Sequence, residues 1–349
     1  MINIEIDKNL IGAQSKPYLI AELSGNHNQS LEKAMAIIKA AADAGADAIK
    51  LQTYTPDSLT IDHRGGLFDI TDKNSLWYGR NLYELYGEAM TPYEWHKPLF
   101  DYAKEMGITC FSTPFDEQAV DMLEELGAPA YKIASFENNF HTLLKKVAAK
   151  GKPVIMSTGI SEPGDIIDSV QVLKNAGCQE LILLKCTSTY PASPENTNLL
   201  TIPHMKKLFN CEVGLSDHTM GVGTSIAAVA LGASVIEKHF CLSRAEGGVD
   251  SAFSLEPHEF KLLVEETKRA WESLGTIQYG ILEAEKKSQH YKRSIYIVEN
   301  IKAGEKFTKE NLRVIRPGDG LHPKFYDTVL GKKAVKDISR GTPLSFDLI

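Results

Sequence analysis

The sequence predicts an α/β protein, a TIM (β/α)8 barrel followed by a small C-terminal β-rich module. Three observations predict it. Short β-branched runs alternate with amphipathic stretches, eight of each, over the first 275 residues. Polar residues recur where those runs end. After Leu274 the pattern gives way to a polar, lysine-rich stretch and then to short alternating segments. The expected divisions are a catalytic barrel over residues 1–275, a linker over 276–290 and the module over 291–349.

In chain order the strand candidates are Tyr18–Glu22, Ala46–Gln52, Ile108–Thr113, Ala130–Ala134, Pro153–Thr158, Leu181–Thr187, Glu212–Ser216 and Ser234–His239. Between and after them lie helical stretches at Leu31–Ala44, Pro92–Lys104, Glu117–Leu126, His141–Ala149, Gly164–Ala176, Thr201–Lys207, Gly223–Leu231 and Pro257–Leu274. Several end on glycine, as at Ala44-Gly45 and Leu231-Gly232, which suits a C-terminal cap. A doubly wound open sheet also alternates strand and helix, but eight evenly spaced units favour the barrel, and no GxGxxG follows the first strand. The stretch from Thr53 to Met90 is too long for a plain connection and predicts a lid or binding loop. In the C-terminal module the strand candidates are Ser294–Val298 and Leu312–Arg316.

Composition excludes several classes of function. With 43% hydrophobic and 24% charged residues the chain reads as a globular protein. No apolar run reaches the length of a bilayer span and no basic-then-apolar leader opens it, so a cytoplasmic enzyme with no membrane partner is expected. The net charge of −7 comes without a lysine or arginine block, which argues against nucleic acid and for a small anion held by a few placed cations. Five cysteines without CxxC spacing give neither a disulfide framework nor a zinc ribbon and are expected in the core.

Active sites of TIM barrels lie at the carboxyl ends of the strands, so the residues there carry the chemistry. Glu22 closes the first strand, with Ser24, Asn26 and His27 after it. Lysine stands near the end of four alternate strands: Lys50, Lys132, Lys185 and Lys238. Ser112-Thr113, Ser157-Thr158 and Ser216 end the strands between them. Ammonium and hydroxyl donors around one mouth make an anion site of phosphate type. Not all four lysines need face inward: alternation sets Lys238 opposite His239, where Glu237 would neutralise it, and Lys50 and Lys132 are the preferred pair. His218 and His239 close neighbouring strands. A single histidine there is ordinarily a hydrogen-bonded core or surface residue. Two beside carboxylates suit a divalent ion, Mn2+ or Mg2+, with positions left open for water and substrate.

The fragments IAELSGNHNQSLEKA, AGADAIKLQT, FSTPFD, YKIASFE, STGI, KCTSTYP, VGLSDHT and GASVIEKHF, in this order, resemble the sialic acid (nonulosonic acid) synthase family, and VIRPGDGLHPKFY resembles its antifreeze-like (SAF) domain. Within the family KLQTYTPDSLT and KIASFE are most similar to the pseudaminate branch. The resemblance implies a carbohydrate-biosynthetic transferase that joins phosphoenolpyruvate, an open-chain acetamido sugar and water into a nonulosonic acid, releasing phosphate. For the pseudaminate branch the sugar is 2,4-diacetamido-2,4,6-trideoxy-altrose; N-acetylneuraminate and legionaminate synthases are the alternatives, and a carbohydrate-binding protein is the reading from another class. It further implies His218 and His239 as metal ligands and Glu22 as the catalytic acidic residue. Phosphoenolpyruvate contacts would be Lys50, Thr113, Lys132, Ser135, Ser157, Ser188 and Ser216, and sugar contacts Gln52, Glu137, Tyr190, Asp250 and Arg316. Ser188 departs from the neuraminate synthases, which carry asparagine there. Arg316 would reach into the barrel of a second subunit, which implies a domain-swapped homodimer.

Overall fold

In the computed structural model, which describes residues 4–349, the chain opens with a hairpin of β1 (Ile4–Ile6) and β2 (Asn9–Ile11). Eight parallel strands then close into a barrel in the order in which the chain visits them: β3 (Tyr18–Glu22), β4 (Ala48–Thr53), β5 (Thr109–Pro114), β6 (Tyr131–Ile133), β7 (Val154–Ser157), β8 (Leu181–Cys186), β9 (Glu212–Ser216) and β10 (Val235–His239), with β10 pairing back onto β3. Each coincides with a predicted strand. The eight predicted helices form as well, at Leu31–Asp43, Tyr93–Glu105, Glu117–Glu125, His141–Ala148, Pro163–Asn175, Thr201–Phe209, Gly223–Ala230 and Pro257–Leu274. Ser30 and Asp116 start two of them by accepting the otherwise unpaired amides of Lys33 and Ala119.

Both faces of the barrel strands are buried, but by different partners. Leu19, Ala21, Ile49, Leu51, Tyr131, Ile133, Leu183 and Leu215 pack outward against the helices. The alternate positions, Tyr18, Ile20, Ala48, Phe111, Ala130, Ile155, Ile182, Leu184 and Val235, fill the barrel interior. Ile4, Ile6 and Ile11 of the hairpin join that interior cluster. The sequence reading placed no element there, because two three-residue strands are too short for any periodicity to register. Gly214 on β9 is required by the tight closure: a Cβ there would lie 2.3 Å from the Val235 carbonyl and 2.7 Å from Leu184 Cδ2.

The interior alternation decides what the barrel mouth contains. Continuing each inward row toward the strand's carboxyl end brings Glu22, Lys50 with Gln52, Lys132, Ser157, Cys186, Ser216, and Glu237 with His239 onto one face. Lys185 and Lys238 belong to the opposite rows.

The segment after β4 is folded. It holds a short helix at Pro56–Leu59, a turn at Gly66–Phe68 and a helix at Leu82–Ala89. Asn81 organises it by donating to the carbonyls of His63 and Phe68 and to Asp69. Residues Met1–Gly275 and Thr276–Ile349 are separate compact units. The second begins with a 3-10 segment at Glu283–Tyr291 and pairs β11 (Ser294–Ile297) antiparallel with β12 (Leu312–Ile315). Its core is Ile295, Ile297, Ile301, Phe307, Leu312, Val329, Ile338 and Leu344.

Candidate active site

A cavity of about 340 Å³ opens at the carboxyl ends of the strands. Twelve of the residues singled out from the sequence line it: Glu22, Lys50, Gln52, Lys132, Ser135, Glu137, Ser157, Tyr190, Ser216, His218, His239 and Asp250. Three lie off this lining. Thr113 is buried behind Lys50, whose Nζ donates to its hydroxyl at 3.1 Å. Ser188 stands 3.6 Å from Cys186 Sγ. Arg316 follows β12 in the C-terminal unit and is exposed.

Two buried lysines supply the ammonium groups of the cavity. Lys50 Nζ donates to Glu22 Oε1 at 2.7 Å and lies 3.8 Å from Glu237. Lys132 Nζ donates to Ser157 Oγ at 2.7 Å and lies 3.5 Å from Glu237. Burial acts to discharge Lys50, but Glu22 and Glu237 outweigh it and raise its pKa. Burial prevails at Lys132, where Glu237 offsets it only in part, so that ammonium sits below the usual lysine value. Burial likewise resists charge on Glu22, yet Lys50, which also donates to it, and Lys132 hold its carboxyl far below the ordinary range. Glu22 is therefore a buried, ionised carboxylate.

Glu237 corrects the reading from sequence. It does not neutralise Lys238, which packs on the outer side of the strand against Asp217 Oδ2 at 3.0 Å and the Thr219 carbonyl at 2.5 Å. Glu237 instead points inward with His239, two positions away, and sits between Lys50 and Lys132. Ser216 Oγ donates to its Oε1 at 3.2 Å, and its Oε2 has no hydrogen-bond partner. The period-two rule that turned Lys238 outward also turns Glu237 inward, so the signal was present. Cys186, inward by the same rule, lies 3.9 Å from His218 Nδ1.

The imidazoles of His218 and His239 meet with ring centroids 5.3 Å apart. His218 Nδ1 lies 3.0 Å from the Thr187 carbonyl, which keeps a proton on Nδ1; burial resists charge on this ring, but Cys186 and that carbonyl outweigh it and raise its pKa. Burial lowers the pKa of His239 to about 3, against the pull of Glu22, so this ring is neutral and able to donate an electron pair. Its Nδ1 is buried without a partner and its Nε2 lies 3.4 Å from Glu22 Oε2. Among the described residues no three His, Cys, Asp or Glu side chains form a closed ligand set. Two imidazoles beside a carboxylate fit a divalent ion that keeps positions open for other ligands, and do not fit a closed structural zinc site.

Around this pair Tyr190 lies 4.5 Å from His218 and Phe253 lies 4.9 Å from His239, ring to ring. Burial pushes Glu137 up to about 7 and Asp250 up to about 6, the latter opposed by a hydrogen bond from Ser24. Both are placed to exchange hydrogen bonds with a polar ligand in either protonation state. Above Ser135, Gly159 is a close approach: its amide donates to Ser135 Oγ at 3.0 Å, and a Cβ there would lie 2.2 Å from Ser188 Oγ. Chemically, the arrangement can bind a small polyanion on two ammonium groups and polarise a carbonyl beside it.

Comparison with known proteins gives a consistent picture. A family model described as NeuB matches residues 37–279, and one for the SAF domain matches 292–349. A pseudaminic acid synthase of Campylobacter jejuni is 48% identical over 329 residues, covering 94% of this chain and 95% of that protein. One from Helicobacter pylori is 42% identical over 95% of this chain and 97% of its own length. Among solved structures, N-acetylneuraminic acid synthetase from Leptospira borgpetersenii superposes with a TM-score of 0.73 at 32% identity, covering 83% of this chain and 96% of the other.

Proposed function

The chain belongs to the NeuB family, and from that premise we propose that it condenses phosphoenolpyruvate with open-chain 2,4-diacetamido-2,4,6-trideoxy-altrose and water to give pseudaminic acid and phosphate. The observation that carries the chemistry is the burial of Lys50 and Lys132 in the same cavity as His218 and His239. One pair suits a small polyanionic donor and the other an aldehyde.

Lys50 and Lys132, with Thr113, Ser135, Ser157, Ser188 and Ser216, hold the carboxylate and phosphate of phosphoenolpyruvate so that C3 faces the aldehyde carbon. Gln52, Glu137, Tyr190 and Asp250 orient the sugar. A divalent ion, Mn2+ or Mg2+, held by His218 and His239 supplies Lewis acidity toward the aldehyde oxygen when bound. Attack by C3 forms the new carbon–carbon bond and leaves C2 electron-deficient. Water adds at C2 while Glu22, ionised and within the same cavity, accepts its proton. The tetrahedral centre then expels phosphate by breaking the C–O bond, its hydroxyl proton leaving with the phosphate as the ketone forms, while the proton taken up by Glu22 passes to the alkoxide made from the aldehyde. The same proposal includes a homodimer in which Arg316 of one subunit completes the sugar site of the other; the exposure of Arg316 is compatible with that role. No helix among the described residues is long and apolar enough to cross a membrane, and a cytoplasmic location belongs to the proposal.

The test is phosphate release from phosphoenolpyruvate with the diacetamido sugar present or absent, before and after chelation. Sugar-dependent release that chelation abolishes and Mn2+ restores is expected. Release that ignores the sugar, or turnover with N-acetylmannosamine alone, would reject this assignment.

A further inference from the structure

The reacting groups of the cavity come from the strand ends, whereas the segment after β4 supplies a wall of a different character. Between Tyr54 and Ala89 this segment contributes no charged or amide side chain to the lining among the described residues. It contributes Leu59, Ile70, Trp77, Leu82 and Leu85, all on the cavity, with Tyr54 and Tyr86 as its hydroxyl-bearing side chains there, and Val249 lines the cavity from the segment after β10. The one polar atom of Trp77 is already engaged, since its Nε1 donates to the Val249 carbonyl at 2.9 Å. That bond ties the two segments together and leaves the indole's remaining surface apolar.

Tyr190 sets the distance of this wall from the chemistry. Its ring lies 4.5 Å from His218 and 5.9 Å from Trp77. The apolar wall therefore begins one aromatic ring beyond the imidazole. A sugar whose aldehyde lies against His218 and His239 and whose chain follows Tyr190 must direct its far end to Trp77. A hydroxyl arriving against Trp77 and the aliphatic side chains would lose its water without gaining a partner from them.

We infer that Leu59, Ile70, Trp77, Leu82 and Leu85 form a specificity wall for the end of the acceptor opposite its aldehyde, and that it selects a methyl group over a hydroxymethyl group. The inference rests on the acceptor proposed above and adds the residues that read its C6 end. An added hydroxyl against an apolar wall is rejected only moderately, by about 10- to 100-fold in kcat/KM.

The experiment compares two acceptors that differ only at C6, the 6-deoxy diacetamido sugar and its 6-hydroxy counterpart of the same configuration, with phosphoenolpyruvate and Mn2+. The wild-type protein should use the 6-deoxy sugar about 10- to 100-fold better, mainly through KM. Ile70→Asn and Leu59→Asn should each narrow that ratio while leaving KM for phosphoenolpyruvate near wild type. Equal use of the two sugars by the wild-type protein overturns the inference, whatever becomes of the variants. So does an unchanged ratio in both variants. Phosphate release with neither sugar is a distinct result, which removes the acceptor assignment and this inference with it.

Discussion

Glu22 has more assigned to it than any other side chain of the site. Its Oε1 accepts from Lys50 and from Gln52 at 2.8 Å, and its Oε2 faces His239. Glu22→Gln keeps an oxygen for the two donors and nearly the same shape, but removes the negative charge. It should therefore leave KM for phosphoenolpyruvate within a few-fold and lower kcat by about 10²–10⁴-fold, the usual worth of a positioned base. Steady-state kinetics with each substrate varied would check this, and full kcat in the variant would remove Glu22 from the mechanism. At this scale the sequence was informative wherever strand periodicity applied. The rows leading to Lys50, Lys132 and His239 follow from alternation alone. Glu237 follows too, and was misassigned because its sequence neighbour Lys238 looked like its partner, although adjacent strand residues point to opposite faces.

The barrel strands were legible because each is a short run buried on both faces and bounded by turn residues. The segment from Thr53 to Met90 was legible only as an anomaly of length. Its apolar side chains follow no single period, being drawn from a short helix, an irregular stretch and a longer helix, and their convergence depends on tertiary contacts such as Asn81 with three loop acceptors and Trp77 with Val249. Strand packing also gives a prediction of its own. Gly214→Ala places a methyl carbon against the Val235 carbonyl where β9 meets β10, so the barrel must shift. Chemical denaturation should show a loss of about 1–3 kcal/mol, as for other overpacked cores. Unchanged stability would mean that the closure at this seam is looser than these distances require.

For the whole molecule, the proposed exchange of C-terminal units between subunits has a consequence that point variants alone do not. Glu22→Gln damages a subunit's own barrel, whereas Arg316→Ala damages the barrel of its partner. Neither homodimer should turn over well, but a heterodimer of the two variants contains one barrel with Glu22 intact and a wild-type Arg316 supplied to it. Co-expression or subunit exchange should therefore restore substantial activity, and mixing that restores none would contradict the exchange. All of this presupposes that the molecule joins C3 of phosphoenolpyruvate to an aldehyde and lets water, not phosphate, supply the oxygen left on C2. Turnover in 18O-labelled water, followed by mass spectrometry of both products before the ketoacid exchanges its oxygen, tests that most directly. The label should enter the nonulosonic acid at C2 and be absent from the phosphate; label in the phosphate would mean P–O cleavage and would contradict the account.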